Sequence, residues 1–198
     1  MSISKKIEEL ISYSRTLYER KLLHATGGNT SVRDGDAVWI SQTGAELGSL
    51  TEKQVVKVDL QGTILAGEAP SKEMGMHLAM YKARPDAGAV IHAHPTHAIT
   101  LSTLIKEPSS NAIRPYTAAF YVRAGRVPMI TYHGSGAHSL HAAVEELACD
   151  YHALLLRQHG MIVAGSNMAQ TLGVVEEIEQ CCQISVASGM KGVWPVSY

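Results

Sequence analysis

The sequence predicts an α/β sandwich around a largely antiparallel sheet, and three observations lead there. Short apolar segments come in pairs joined by tight-turn residues, the signature of antiparallel neighbours. Segments with helical spacing are interleaved with these strands. The chain has 198 residues, 45% of them hydrophobic, enough to bury one sizeable core, so residues 1–198 are expected to form a single domain.

The elements follow in order. Ile3, Ile7, Leu10, Ile11, Leu17 and Tyr18 recur at helical spacing with charges between them, which predicts an amphipathic helix over 3–20. A glycine-rich loop, Thr26 to Ser31, leads into a hairpin: Ser31-Val32-Arg33, a turn at Asp34-Gly35, then Ala37 to Ile40. The polar loop Ser41-Gln42-Thr43-Gly44 ends that strand. A second hairpin is expected from Val55–Leu60 and Thr63–Leu65 around Gln61-Gly62. Ser71 is placed to cap a helix that runs to about Ala83, where Arg84-Pro85 stops it. A buried strand over Ala89–His94 follows, with Pro95 in the first turn of the next helix. Further strands are expected at Val127–Tyr132, Ala153–Arg157 and Met161–Ala164, and helices at Ser139–Cys149 and Asn167–Ala187.

Composition narrows the function classes. Lys and Arg (17) nearly balance Asp and Glu (18), for a formal net charge of -1, so no broad basic surface exists to neutralise a nucleic acid backbone. An anionic partner is then a small molecule held locally. The three cysteines include the adjacent pair Cys181 and Cys182, which excludes a conventional disulfide framework and fits a reducing cytoplasm. The N-terminus lacks a signal-peptide pattern and no apolar run reaches membrane-spanning length, so a cytoplasmic location without membrane partners is expected. Ten histidines, eight of them clustered at 92–97, 133–141 and 152–159, point towards metal.

The chemistry concentrates in a few of these segments. In Val90-Ile91-His92-Ala93-His94-Pro95 the two histidines are two residues apart on a strand, so their side chains share a face, with Cα atoms roughly 6.6 Å apart. A His-x-His pair alone also arises by chance on short strands. His159, in Gln158-His159-Gly160 at the end of another apolar strand, offers a third ligand beside a glycine that permits close backbone approach. Three imidazoles with an open position match the catalytic zinc pattern. Glu73, in Pro70-Ser71-Lys72-Glu73, is the carboxylate candidate for acid/base work beside the metal, although Ser71 and Glu73 also fit ordinary helix capping. The two early loops, with Gly28, Asn29, Thr30, Ser31, Thr43 and Gly44, join Ser71 and Lys72 as an oxyanion receptor. Taken singly, each loop is equally a turn between strands.

Gly28-Asn29-Thr30-Ser31, Thr43-Gly44, Pro70-Ser71-Lys72-Glu73, His92-Ala93-His94 and Gln158-His159-Gly160, in this order and at these separations, resemble the class II aldolase/adducin family. The resemblance runs from the first helix to about residue 188 and implies a class II aldolase-like three-layer α/β/α sandwich. It implies Zn2+ on His92, His94 and His159, Glu73 as the acid/base residue, and a substrate phosphate held by Gly28, Asn29, Thr43, Gly44, Ser71 and Lys72. It also implies a homotetramer with sites at subunit boundaries, where a tyrosine handles a proton; Tyr121 is the choice and Tyr116 the reserve.

The activity expected is retro-aldol cleavage of a small phosphorylated sugar through a metal-stabilised enediolate. The alternatives are decarboxylation of a 3-oxo sugar-acid phosphate and a non-catalytic, adducin-like interaction module. Two features bear on the choice. Aldolases of this type carry serine where this chain has Lys72, and a catalytic residue on a longer tail beyond Tyr198 would be missing or replaced.

Overall fold

A computed structural model describes residues 4–189, 191, 195 and 196. Of the residues invoked above, Ile3 and Tyr198 lie outside that set. Helix α1 spans Lys5–Glu19, capped by Ser4, and buries Ile7, Leu10, Ser14 and Leu17 on one face. Strands β1 (Asn29–Asp34) and β2 (Ala37–Ser41) form the first hairpin, whose two-residue turn is Gly35-Asp36, one residue later than expected. Asp34 stays in the ladder because its carboxylate accepts from Trp39 Nε1 and Lys57 Nζ.

Strands β3 (Val55–Asp59) and β4 (Ile64–Ala66) make the second hairpin, where Asp59 accepts from the N–H groups of Gln61 and Thr63. Two short 3-10 turns, Leu47–Ser49 and Glu52–Gln54, connect the hairpins and were not foreseen. Helix α2 ends at Ala83 as expected but begins at Met74, with Glu73 rather than Ser71 at its cap position, two residues later than a Ser71 cap implies. The cause is a competing contact: Gln42 bridges Pro70 and Ser71 N–H donates to Ser41 O at 3.1 Å, so Pro70 and Ser71 lie along the end of β2, and a turn in which Ser71 Oγ accepts from Glu73 N–H at 3.2 Å precedes the helix.

Strand β5 (Ala89–Ala93) is buried throughout, and α3 (Thr96–Leu104) follows with Pro95 as its cap rather than in its first turn. Helix α4 (Ala118–Arg123), capped by Thr117, was not expected; six residues are too few to show a period. Strand β6 shrinks to Met129–Ile130. It lies at a sheet edge beside Pro128, which cannot donate to a ladder. Helix α5 (His138–Ala148), strands β7 (Ala153–Leu156) and β8 (Gly160–Gly165) and helix α6 (Met168–Ala187) lie within a residue or two of expectation.

The strands form one eight-stranded sheet in the order β4-β3-β2-β1-β5-β8-β7-β6, antiparallel except for the β6–β7 pair. Alternation along the central strands serves two cores. Ala89, Ile91 and Ala93 join Leu10, Leu17 and Val175 on the face covered by α1, α3, α4 and α6. Val90, Ile162 and Ala164 join Met76, Met80 and Val144 on the face covered by α2 and α5. The result is a three-layer α/β/α sandwich. No helix among the described residues is long and apolar enough to cross a membrane.

Candidate metal centre

The register of the central strands builds the site. Asn29 on β1 pairs with His92 on β5, and Ser31 pairs with Val90, so Asn29, Ser31 and His92 share the face that looks at α2. His94 lies one residue past the end of β5, its N–H donating to Leu22 O at 3.1 Å. His159 sits in the turn between β7 and β8, two adjacent antiparallel strands, which brings it to the same end of the sheet. Gln158 before it has φ 55°, a left-handed conformation that costs a non-glycine residue about 1–2 kcal/mol. Its N–H is held by Ser102 Oγ at 2.8 Å.

The three imidazoles converge, with ring centroids 4.6, 4.8 and 5.1 Å apart and a ligand atom on each within 4.8 Å of the others. The His92 and His94 Nε2 atoms are 2.8 Å apart. His92 Nδ1–H donates to Met161 O at 2.9 Å, so Nε2 is the ring nitrogen turned towards its neighbours. That nitrogen also lies 3.1 Å from Glu73 Oε2, and His159 Nε2 lies 3.2 Å from Glu73 Oε1. Imidazole lone pairs and a carboxylate crowded together suit a shared divalent cation, so these residues fit a metal. Burial, reinforced by His92 and His159, pushes His94 down to about 3, leaving it neutral and able to ligate near neutral pH.

Glu73 is 5% exposed at the start of α2. Burial pushes its carboxyl up, but contacts with His159, His92 and Asn29 outweigh that and hold it well below the usual carboxylate range. Asn29 Nδ2–H donates to Oε2 at 2.9 Å and Ser135 Oγ–H to Oε1 at 2.8 Å.

Beside Glu73 and His94 lies a cavity of about 220 Å³. Its lining includes Gly28, Asn29, Thr43, Gly44, Ser71 and Lys72, all six residues singled out for a substrate phosphate. Larger grooves along α1 and between α4 and α6 hold none of them. Gly28 has φ 79°, and a Cβ there would stand 2.8 Å from His92 O, so glycine lets the loop close on the metal strand. Asn29 lines the cavity, yet both ends of its amide are already bonded, one to Glu73 and the other to His77. The Thr30 and Ser31 hydroxyls are buried elsewhere, on Ser14 and on His77 with Tyr81, and are not among the lining groups.

Tyr121, 44% exposed on α4, and Tyr116, partly buried against the core, line no part of this cavity. Sequence reasoning missed Ser135 and His77. The first sits in Gly134-Ser135-Gly136, where Gly136 (φ 70°) folds against Lys72, a turn whose pairing with α2 depends on tertiary structure. The second has the four-residue spacing from Glu73 that one helix face requires.

A three-layer sandwich here gathers three histidines that could hold a metal ion, with a carboxylate, over a polar cavity, an arrangement of the kind found in enzyme active sites. The chain belongs to the class II aldolase and adducin family: the profile of the Class II Aldolase and Adducin N-terminal domain matches residues 8–186. It is 34% identical over 178 residues to the 3-oxo-tetronate 4-phosphate decarboxylase of Haemophilus influenzae, covering 89% of this chain and 85% of that one. It is 32% identical over 179 residues to the L-fuculose phosphate aldolase of Methanocaldococcus jannaschii, covering 90% and 94%. Among solved structures it resembles YgbL of Klebsiella pneumoniae, with a TM-score of 0.94 at 30% identity over 100% of this chain and 96% of the other.

Proposed function

We propose that this chain is a zinc-dependent carbon–carbon lyase acting on a small phosphorylated sugar acid, which it decarboxylates. The observation that carries the reading is the juxtaposition of the His92, His94, His159 and Glu73 cluster with a polar cavity that Lys72 also lines. A zinc ion on the three imidazoles would supply Lewis acidity where negative charge develops as the bond breaks. Thr43, Gly44 and Ser71 bind the phosphate with neutral donors, beside the backbone that Gly28 lets approach. Lys72 adds a cation suited to a second anionic group, such as a carboxylate. Glu73, ionised and gripped by Asn29 and Ser135, holds or returns a proton at the substrate carbon.

Retro-aldol cleavage, placed first from the sequence, is the second reading, favoured by the aldolase relative at 32% identity. In that reading Tyr121 serves a neighbouring chain of a homotetramer. Its support is that α4 exposes Tyr121 by 44% and Val122 by 80%.

The test is to give purified protein 3-oxo-tetronate 4-phosphate and L-fuculose phosphate, and to measure carbon dioxide and aldehyde release. The expected result is carbon dioxide from the first and little aldehyde from the second. Aldehyde release alone overturns the decarboxylase assignment and favours its rival. With Tyr121→Phe, unchanged decarboxylation is expected.

A further inference from the structure

Behind Glu73 a line of hydrogen bonds runs away from the cavity through the α2 layer. Asn29 Nδ2 meets Glu73 Oε2 at 2.9 Å, His77 Nε2 meets Asn29 Oδ1 at 2.6 Å, His77 Nδ1 meets Ser31 Oγ at 2.7 Å, and Ser31 Oγ meets the Tyr81 hydroxyl at 2.9 Å. All five residues are buried, His77 and Ser31 completely. The line is assembled by two periodicities. Glu73, His77 and Tyr81 are four apart along α2 and its cap, and Asn29 and Ser31 are two apart on β1, so each set presents one face to the other.

We propose that His77 is a positioning residue: a neutral imidazole protonated at Nε2 that fixes which end of the Asn29 amide faces Glu73, and so anchors the carboxylate. The proposal rests on the reading of Glu73 as the acid/base group. The polarity of the line follows from its end. The Asn29 amide meets Glu73 Oε2 with its nitrogen, a donor facing a carboxylate oxygen. Asn29 then turns its oxygen to His77, whose Nε2 must carry the proton. A neutral imidazole with Nε2–H leaves Nδ1 bare, so Ser31 donates to it and accepts in turn from Tyr81 O–H. Every bond in the line then points towards Glu73, the arrangement in which neighbouring hydrogen bonds strengthen one another.

The alternatives cost more. With the other tautomer, His77 Nδ1–H would face Ser31 and a bare Nε2 would face Asn29 Oδ1, two acceptors at 2.6 Å. Asn29 would have to flip, turning its oxygen on the Glu73 carboxylate. Burial supports the neutral form, pushing His77 down to about 3.

The test has two arms. Solid-state 15N NMR of histidine-labelled protein, with His77→Gln to assign the resonance, reads the tautomer directly. A protonated Nε2 with a bare Nδ1 is expected; an Nδ1–H tautomer or an imidazolium at neutral pH overturns the proposal. Kinetics of the purified enzyme supply the second arm. His77→Leu is expected to lower kcat about 10- to 100-fold, the usual effect of removing an outer partner, with KM within about threefold. His77→Gln, which keeps an N–H for Asn29, should recover most of that loss. Equal loss in both variants, or unchanged kcat in His77→Leu, contradicts a positioning role. If His77→Leu does not fold, the tautomer still decides. If the wild-type enzyme cleaves neither substrate, the lyase reading fails while the NMR arm stands on its own.

Discussion

Glu73 sits where four partners meet, and its environment sets what it can do. Asn29 and Ser135 each donate to one of its oxygens, and His92 and His159 flank it at 3.1 and 3.2 Å. Held ionised, it cannot be replaced by an amide without losing the proton-handling role. Glu73→Gln is expected to lower kcat about 10²- to 10⁴-fold, the span of general acid–base contributions, while the protein still binds metal through its histidines. Steady-state kinetics together with metal analysis check this; near-normal turnover would remove Glu73 from the chemistry. At this scale the sequence was most legible where spacing alone fixes direction. The two-residue spacing of His92 and His94 pointed to a shared face by strand alternation, and although β5 ends at Ala93 the two Nε2 atoms meet at 2.8 Å. Ser135 was not legible, because its partner is 62 residues away and only the folded turn brings them together.

The β7–β8 hairpin carries His159, and its tolerance for change is small. A Cβ on Gly160 would stand 2.2 Å from Ala93 O and 2.8 Å from His94 Cδ2. Gly160→Ala must therefore push β8 away from β5 and shift two histidines relative to each other. Overpacking of this kind costs about 1–3 kcal/mol, so a lower urea midpoint and a reduced metal content are expected. Unchanged values of both would mean the turn can yield at no cost to the site. The elements themselves were readable where pattern or turn chemistry was strong, as in the β1–β2 hairpin and in α6, whose Asn167 cap accepts from Gln170 N–H at 2.9 Å. They were misread where a tertiary contact decided: the start of α2 is set by Ser41 receiving the Ser71 N–H, and β6 by the neighbour it finds in β7.

At the scale of the whole molecule, the sheet keeps a fully buried neutral imidazole beneath the site. His77 has a folded-state pKa of about 3, against 6.5 for an exposed histidine, burial being the main cause. The unfolded chain therefore takes up a proton below about pH 6.5 that the folded chain refuses. Its contribution to stability is full above pH 6.5 and is lost as pH falls towards 3, by at most about 1.4 kcal/mol per pH unit. His152, also lowered by burial, acts in the same direction. Urea midpoints of chelator-treated protein should fall between about pH 7.5 and pH 5.5. A flat profile would mean His77 is protonated in the fold. The sandwich and its largely antiparallel sheet were legible as a whole from hairpins and interleaved helices, but only the β1–β2 and β3–β4 pairings followed from turns; the joining of β1 to β5 and of β5 to β8 did not. The two core clusters and the placing of α4 were not legible, because they depend on which helix covers which face.

The most direct test of the account is the divalent metal bound per chain, measured on wild type and His159→Ala after equilibration with zinc and removal of the excess. The account predicts about one ion per wild-type chain and a large loss on removing the third ligand. A wild-type protein that holds no ion, or a variant that holds as much as wild type, would contradict it.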